Sequence, residues 1–355
     1  MGHTKHSLPV IGVSCGDLNG IGLEVVLKTF SDNRFFELCT PVIFANAKVV
    51  SYHRKACNLT QLHYQQIKHI SEAHPGKINV CNVWEDNVNI ELGKVSKEVG
   101  VFAVQSLKAC VAAYDNGEVD AIVTAPIHKE ACYDDQHFPF SGHTGYFAEH
   151  YKQRALMLLC SGDFRVALVT DHIPIDNVSE TITADRLQTF IEKLYAGLKV
   201  DFGIQKPRIA VLGLNPHAGD GGLIGDEDNL VIAPVVQAKR DDGMLVFGPF
   251  PADGFFGKSQ QNSVDAVVAM YHDQGLAPFK ALSFGTGVNV TLGLPIVRTS
   301  PDHGTGFDIA GNNEADEQSF RSAVFQALDI VKNRQLHKEL TENPLKSQRK
   351  IQRDS

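Results

Sequence analysis

Short runs of β-branched and other apolar residues alternate with stretches of helical periodicity along the whole chain. Eight runs predict strands, at Val10–Ser14, Pro41–Ala45, Val119–Ala125, Ala155–Cys160, Arg165–Thr170, Arg208–Leu214, Val264–Met270 and Gly287–Leu294. Four amphipathic stretches predict helices, at Val99–Tyr114, Ala184–Leu198, Asp228–Lys239 and Glu317–Val331, the last with Asp316 as its N-cap. This alternation predicts an α/β fold in which helices cover a sheet.

Composition and charge narrow the class of protein. The chain has 355 residues, of which 43% are hydrophobic and 21% charged, and its formal net charge is −8. These values are typical of a globular protein, and the length favours two domains. The basic stretch Lys332–Arg353 contains no aromatic stacking residue, so we interpret it as a solvated helix end and tail rather than a nucleic-acid surface. No apolar run approaches the roughly 18 residues of a membrane-spanning helix.

The cysteines and the start of the chain predict the compartment. Seven cysteines are present, no two have CxxC spacing, and several lie in apolar runs, where Cys behaves as a small hydrophobe. The opening sequence MGHTKHSLPVIG lacks an apolar segment of signal-peptide length. Both observations favour a reducing cytoplasm.

A glycine-rich segment, Gly16–Gly22, follows the first predicted strand and opens a helix. The backbone N–H groups of such a turn can bind an anion. The same glycines also suit a tight turn from strand to helix that needs their geometry, and both interpretations stay open. A strict GxGxxG is absent, so an ordinary Rossmann dinucleotide site is not predicted.

Four of the fifteen histidines are expected at, or just past, the end of a strand, namely His143, His172, His217 and His272. In open α/β sheets, ligands bind outside the carboxyl ends of strands, so these side chains are expected to meet in one crevice. Three neutral imidazoles and an open position suit Zn²⁺ or a similar cation. Their spacing matches no local metal motif, so structural hydrogen bonding at loop entrances remains the alternative.

A cationic and polar set follows the last of these histidines and consists of Lys280, Asn289 and Arg298. A lysine acts as a point charge and an arginine as a fork, which together suit a phosphate or a carboxylate. The alternative is that both cations lie on the surface.

Several motifs in order give a specific signal, unlike any one of them. They are Gly16-Asp17, Gly20-Ile-Gly22, Thr124-Ala-Pro126 with Lys129, Gly142-His-Thr144, Leu214-Asn-Pro-His-Ala-Gly219, Pro251-Ala-Asp253, Met270-Tyr-His-Asp-Gln-Gly275, Gly287-Val-Asn289 and Arg298-Thr with Asp302-His-Gly-Thr305. From about Val10 to Val331, the chain thus resembles the 4-hydroxythreonine-4-phosphate dehydrogenase family of vitamin B6 biosynthesis.

The resemblance implies a two-domain fold like that of the isocitrate and isopropylmalate dehydrogenases, with the active-site cleft between the domains. The first domain would comprise residues 1–135 and 276–355, and the second, with the metal ligands and dimer contacts, residues 136–275. The resemblance also implies a homodimer and a divalent metal, zinc first and magnesium or cobalt otherwise. The ligands would be His172, His217 and His272, with His272 supplied by the partner subunit.

The resemblance also assigns binding residues. The family's substrate contacts fall on His143, Thr144, Lys280, Asn289 and Arg298. The segment Asp302–Gly311 looks like the adenosine-binding loop of the isopropylmalate dehydrogenases, which assigns His303, Gly304, Thr305 and Asp308 to the cofactor. A carboxylate at position 308 would accept hydrogen bonds from the ribose diol and repel a 2′-phosphate, favouring NAD over NADP. A helix cap or a loop bridge is the alternative role of Asp308.

The implied reaction is oxidation of the 3-hydroxyl of 4-phosphooxy-L-threonine with NAD, followed by decarboxylation to 3-amino-2-oxopropyl phosphate. The general base is unassigned, with Asp273 and His143 as candidates by location. Asp253 and Asp273 have the alternative role of orienting imidazoles.

Three other functions remain in competition. They are a dehydrogenase of 4-phospho-D-threonate or 4-phospho-D-erythronate, a metal hydrolase or aldolase without nucleotide, and a non-catalytic dimeric binding protein. Departures from the family pattern put the substrate's fine structure in question. Cys15 and Leu18 replace two prolines, Gly145 stands where an acidic residue is common, and Phe-containing insertions lie near Asp134–Phe140.

Overall fold

The computed structural model describes residues 8–140, 142–283 and 285–342. Its strands are β1 (Val10–Ser14), β2 (Thr40–Ala45), β3 (Tyr64–Ile67), β4 (Ile78–Asn82), β5 (Ala121–Thr124), β6 (Leu156–Ser161), β7 (Phe164–Leu168), β8 (Arg208–Leu212), β9 (Leu245–Phe250), β10 (Ala266–Ala269), β11 (Val288–Leu292) and β12 (Arg298–Pro301). Its α-helices are α1 (Gly22–Phe30), α2 (Ala47–Ala56), α3 (Lys97–Asp115), α4 (Lys129–Cys132), α5 (His143–His150), α6 (Val178–Thr181), α7 (Ala184–Val200), α8 (Ala233–Asp241), α9 (Ala252–Gly257), α10 (His272–Leu282) and α11 (Gln318–Glu342).

All twelve strands form one sheet, in the order β3-β4-β2-β1-β5-β12-β11-β6-β7-β10-β8-β9. The six strands from β3 to β12 are parallel, and so are the four from β7 to β9. Antiparallel pairing of β11 and β6 with their neighbours joins the two groups, which therefore run in opposite directions. Loops that follow strands thus emerge at opposite edges in the two groups.

Helices cover both faces of the sheet and bury its apolar side chains. Helix α7 shows the pattern clearly, because its four residues at helical spacing, Leu187, Ile191, Leu194 and Leu198, are all fully buried. Complete burial of such a side chain contributes about 1.5–3 kcal/mol. Helix α11 buries a similar stripe, and the Gln318 N–H donates to Asp316 Oδ1 at 2.8 Å. The predicted N-cap is therefore confirmed.

The α/β class and all eight predicted strands are confirmed, as are the four predicted helices, although residues Asp228–Ile232 of the third form a π-helical turn that leads into α8. Strands β3, β4, β9 and β12 were not predicted from the sequence. Helix α11 continues to Glu342 and so includes the first part of the basic stretch, whereas residues 343–353 of that stretch lie outside the described residues. All seven cysteines are buried and unpaired.

The proposed domain limits stay a prediction. The limit between residues 275 and 276 falls inside helix α10, and the sheet runs without interruption through both proposed domains. Within the described ranges, no helix combines the length and the apolar character needed to cross a membrane.

Candidate active site

A cavity of about 900 Å³ lies over the central strands, where the two parallel groups of the sheet meet. Strands β11 and β12 contribute Asn289, Arg298 and Ser300 to its wall. Thr124, the last residue of the neighbouring strand β5, also lines it. The cavity is rich in charge. Its cations are Lys129, Arg154, Lys280 and Arg298, its carboxylates are Asp171, Asp273 and Asp302, and its imidazoles are His143, His172, His272 and His303.

Arg298 lies deep in the cavity wall, and only 3% of its surface is exposed. Its guanidinium donates to Thr124 Oγ1 at 2.7 and 3.1 Å and to Thr291 Oγ1 at 3.2 Å. Among the residues that the structure describes, no carboxylate pairs with it. Burial lowers the pKa of Arg298 to about 9, because a charge removed from water without a counter-ion is disfavoured. The alternative that Arg298 is a surface cation is thus wrong, and the geometry leaves an anion's place open.

His143 is the first residue of helix α5 and faces Arg298. The expectation that it follows a strand end is wrong, because the segment before it connects helix α4 to α5. Burial and the charge of Arg298 hold its pKa well below the ordinary value, so the imidazole is neutral. Thr144, the next residue, also lines the cavity.

Three buried polar atoms of cavity-lining residues lack hydrogen-bond partners within the described part of the chain. They are His143 Nε2, Asn289 Oδ1 and His303 Nε2. Buried polar groups are normally paired, since leaving one unpaired costs about 1–3 kcal/mol. Unpaired atoms that converge on one cavity therefore indicate a polar ligand that completes them.

Lys280 enters the cavity from helix α10, and its side chain is 54% exposed. Its Nζ lies 3.6 Å from Asp302 Oδ1. Burial raises the pKa of Asp302, and the charge of Lys280 partly offsets this effect. All five residues that the resemblance assigns to the substrate therefore line one cavity. Their individual roles stay a proposal.

His172 and His272 are adjacent in one chain, with ring centroids 5.6 Å apart. They follow the neighbouring parallel strands β7 and β10, which brings both to the same edge of the sheet. Each Nδ1 faces a carboxylate, since His272 Nδ1 lies 2.7 Å from Asp273 Oδ1 and His172 Nδ1 lies 3.7 Å from Asp171 Oδ2. A hydrogen bond to His172 lowers the pKa of Asp171 to about 2.

This pair suits a metal ion. A carboxylate on Nδ1 orients an imidazole and leaves Nε2 free as a ligand. Two rings bound to one tetrahedral ion through bonds of about 2 Å would have centroids about 5 Å apart, close to the observed spacing. Within the described residues, however, no third His, Cys, Asp or Glu is placed to bind a metal ion together with the two imidazoles.

His217, the third expected ligand, lies apart from this pair. It follows strand β8 in the segment Pro216–Gly222, is exposed, and is not among the described residues that line the cavity. Asp228, fully buried, fixes the start of this segment by accepting the N–H groups of Leu214 at 2.8 Å and Asn215 at 3.0 Å. His217 is therefore presented outward from a firmly anchored base.

The segment 302–311 only partly joins the cavity. His303 and Gly304 line it, whereas Thr305 packs on the glycine-rich segment and Asp308 is exposed. The structure gives Asp308 no hydrogen bond to any described residue, so neither a cap nor a bridge is observed for it.

The segment Gly16–Gly22 is buried, and packing explains its glycines. The Asp17 N–H donates to Pro126 O at 2.8 Å and the Ile21 N–H to Thr305 O at 2.9 Å. A Cβ on Gly20 would lie 2.6 Å from Thr305 O, so only glycine permits this approach. Because the segment is buried and the N–H groups of Asp17, Asn19, Gly20 and Ile21 donate within the protein, we favour the tight-turn interpretation over the anion-binding one.

Sequence reasoning missed Arg154 and Asp171 as wall residues. A charged residue before a strand carries no signal that separates it from a surface cation. Asp171 precedes His172 and was recognisable only as a neighbour of a proposed ligand.

Comparisons with known proteins agree with the motifs. The family model described as pyridoxal phosphate biosynthetic protein PdxA matches residues 37–327. A 4-hydroxythreonine-4-phosphate dehydrogenase of Bacteroides thetaiotaomicron is 47% identical over 346 residues, which cover 97% of this chain and 94% of that protein.

Solved structures agree as well. The crystal structure of a 4-hydroxythreonine-4-phosphate dehydrogenase from Burkholderia phymatum is 38% identical with a TM-score of 0.76, covering 92% of this chain and 99% of that chain. The crystal structure of a terephthalate 1,2-cis-dihydrodiol dehydrogenase from Burkholderia xenovorans is 26% identical with a TM-score of 0.61. The match covers 91% of this chain and 98% of that chain. The chain therefore belongs to the PdxA family and is a dehydrogenase, as its sequence motifs predicted.

Proposed function

We propose that the protein uses NAD and a divalent metal to oxidise the 3-hydroxyl of 4-phosphooxy-L-threonine, and that the product then loses carbon dioxide to give 3-amino-2-oxopropyl phosphate in pyridoxal phosphate biosynthesis. The names of the relatives support the substrate and the pathway. One observation carries the proposal, namely the buried guanidinium of Arg298, which no carboxylate among the described residues neutralises.

A phosphate fits this part of the cavity. Arg298 can offer its remaining donors to phosphate oxygens, and Lys280 adds a second charge from helix α10. Asn289 and Thr144 supply neutral polar contacts nearby. The phosphate is attached to the carbon next to the one that carries the reacting hydroxyl, so its binding at these residues would orient that hydroxyl for reaction.

The proposed metal ligands are His172, His217 and His272, and the preferred ion is zinc, with magnesium and cobalt as alternatives. Adjacent rings of His172 and His272 in one chain support His217, rather than His272, as the ligand from a partner subunit. Exposed apolar side chains close to His217 in sequence support such a partner, since Leu223 is 84% and Leu230 is 72% exposed. We therefore propose a homodimer with a shared site.

The proposed nucleotide site consists of His303, Gly304, Thr305 and Asp308. His303 Nδ1 lies 2.9 Å from Gly304 O, which favours the tautomer with an unprotonated Nε2. This atom is buried and unpaired among the described residues, and it belongs to a residue that lines the cavity, so it is available as an acceptor. The exposed carboxylate of Asp308 remains available to a ribose diol, which favours NAD over NADP.

When bound, the metal lowers the pKa of a coordinated hydroxyl and NAD accepts a hydride. Of the two candidate bases, Asp273 is already engaged by His272. His143 is neutral with a free Nε2, so it can accept the substrate proton. A phosphate beside Arg298 would raise the pKa of His143 back toward its ordinary range, which favours this proton transfer.

The compartment also remains a proposal. All seven thiols are buried and unpaired, and burial raises the pKa of several, including Cys39 and Cys160, each to about 12. Such inert thiols are compatible with a reducing cytoplasm.

The test is NADH formation by the purified protein with 4-phosphooxy-L-threonine, with carbon dioxide release followed in the same sample. We expect both products in the presence of a divalent metal and neither after chelation. NADH formation that is unaffected by complete metal removal would contradict the proposed metal, and absence of turnover in the metal-loaded protein would contradict the substrate.

The variant Arg298→Ala tests whether Arg298 binds the phosphate of the substrate. We expect kcat/KM for the phosphorylated substrate to fall by an amount equivalent to about 2–3 kcal/mol of transition-state stabilisation, because a charge-assisted contact is removed. The exposed Arg34, altered to Ala, serves as the matched control. An equal loss with unphosphorylated 4-hydroxythreonine would mean that Arg298 does not read the phosphate.

One observation favours a second candidate, a dehydrogenase of 4-phospho-D-threonate or 4-phospho-D-erythronate. Gly145, which replaces a commonly acidic residue, lines the cavity, and a Cβ there would approach nothing closer than 4.0 Å. The acidic group that would favour an amino substrate is therefore absent at this position. Turnover of either acid in preference to the amino substrate would select this candidate.

A further inference from the structure

A buried ion pair lies outside the cavity, on helix α1. Glu24 is only 2% exposed, and the Lys28 side chain is 18% exposed. Lys28 Nζ lies 2.8 Å from Glu24 Oε1, which is one helical turn away. A pair buried this deeply carries a desolvation cost, so good geometry and further hydrogen bonds are needed to sustain it.

The pair holds a distant part of the chain. Lys28 Nζ also donates to Asn313 O at 3.1 Å and to Ala315 O at 2.8 Å, so all three of its donors are used. Glu24 Oε1 accepts the Ala315 N–H at 2.9 Å. Three polar contacts thus join helix α1 to residues 313–315, and the Lys28–Glu24 contact links their two side chains within the helix. We call this arrangement the Glu24–Lys28 clamp.

Residues 313–315 lie near the end of the irregular segment between strand β12 and helix α11, which starts at Asp302. The segment is fixed at three points, since Asp302 N–H donates to Ser319 Oγ at 3.0 Å and Thr305 O accepts the Ile21 N–H at 2.9 Å. The clamp is the third point. The exposed Asp308 lies between the second and third points, so the clamp limits the positions that its carboxylate can take.

We propose that Glu24 and Lys28 are positioning residues for the nucleotide, an inference that rests on the proposed function of the segment 302–311. Neither residue lines the cavity, so they act through the backbone of residues 313–315. A segment held in its binding conformation loses less conformational entropy when the nucleotide binds. The clamp therefore strengthens nucleotide binding without contacting the substrate.

The experiment measures NAD binding directly, by calorimetric titration of the full-length protein, together with the KM values for NAD and substrate. Lys28→Met is expected to weaken NAD binding roughly tenfold, as expected when charge-assisted hydrogen bonds that order the segment are lost. The KM for NAD should rise in parallel, whereas kcat and the KM for the phosphorylated substrate stay unchanged. Lys28→Arg should restore part of the affinity, because it keeps the charge and several donors.

Two controls keep the test decisive. Lys55→Met removes an exposed lysine on the neighbouring helix α2 and should change nothing. If Lys28→Met folds poorly because Glu24 is left buried without a partner, the double variant Glu24→Gln with Lys28→Met removes both charges and should still bind NAD weakly.

The two proposals fail in different ways. Wild-type protein that binds no NAD would overturn the proposed function, and this inference with it. Wild-type protein that binds NAD, with unchanged affinity in the single and double variants, would overturn only the clamp.

Discussion

Two glycine-rich turns follow strands of the same sheet but differ in almost every physical respect. The first turn, Gly16–Gly22 after β1, is wholly buried, and four of its backbone N–H groups donate within the protein. The second turn, Pro216–Gly222 after β8, is largely exposed and has six consecutive residues with positive φ, of which His217, Ala218 and Asp220 are not glycine. The glycines of the first turn serve packing, whereas the second turn presents side chains to its surroundings.

The difference teaches how to interpret such turns. A non-glycine residue in the left-handed region costs about 1–2 kcal/mol, so a run of them persists only where the surroundings fix it. Asp228 provides that fixation at the base of the second turn. A strained, exposed turn with an anchored base is typical of a functional segment, which agrees with the proposed role of His217.

Gly20→Ala tests the packing role of the first turn and should have the largest effect. The new Cβ would lie 2.6 Å from Thr305 O and 3.1 Å from Thr305 Cβ, and backbone cannot move aside as a flexible side chain can. We expect a loss of about 3 kcal/mol in the free energy of unfolding, measured by urea denaturation. A loss below about 1 kcal/mol would contradict the close packing described for this turn.

His53 tests the same region through pH. Its ring is buried against the Leu18 backbone of the first turn, and burial lowers its pKa to about 4. A depressed pKa means that the unfolded chain binds more protons between pH 4 and 6.5. The resulting stability is fully present above pH 6.5 and is lost as the pH falls toward 4.

The pH effect can be isolated by substitution. The loss over this interval should total roughly 3 kcal/mol for the wild type, at most 1.36 kcal/mol per pH unit. His53→Gln cannot titrate, so the difference in free energy of unfolding between pH 6.5 and 4.5 should shrink in this variant. If the free energy of unfolding depends on pH identically in both proteins, His53 is not the group responsible.

Gly221→Ala tests the second turn and should have the smallest effect. Gly221 has a φ of +66°, but an added Cβ meets nothing within 4 Å. The expected cost is therefore only the conformational one, about 1 kcal/mol in the free energy of unfolding. A cost comparable to that of Gly20→Ala would show that the second turn is packed as tightly as the first, and the contrast between them would fail.

The sequence predicted most of the sheet because buried parallel strands are short, continuous apolar runs. The four unpredicted strands lack this signal. Strand β3 at the sheet edge contains two glutamines, and β4 reads Ile-Asn-Val-Cys-Asn, with the buried Asn79 among its apolar residues. Strand β9 is interrupted by Gly248-Pro249, and β12 reads Arg-Thr-Ser-Pro. Strand β12 lies in the centre of the sheet, where its neighbours rather than its own composition determine its conformation.

For the site, the motif resemblance assigned roles to residues whose roles spacing alone left open, and the structure places the proposed substrate residues around one cavity. Burial of Arg298 between two threonine hydroxyls depends on the pairing of β12 with β5 and β11, which no local pattern reveals. The position of His143 was misjudged because a residue after a loop can open a helix as readily as it can follow a strand. His217 is separated from the other two imidazoles by the left-handed conformation of its turn. The local sequence Pro-His-Ala-Gly does not predict this conformation.

Metal content tests the central proposal most directly, that His172, His217 and His272 bind one cation even though a single chain brings only two of them together. Each protein would be loaded with zinc, dialysed and analysed for metal per chain, with the exposed His337 altered to Ala as the control. We expect one equivalent in the wild type and the control, and none in His172→Ala or His217→Ala. A full equivalent retained by His217→Ala would contradict the shared three-histidine site.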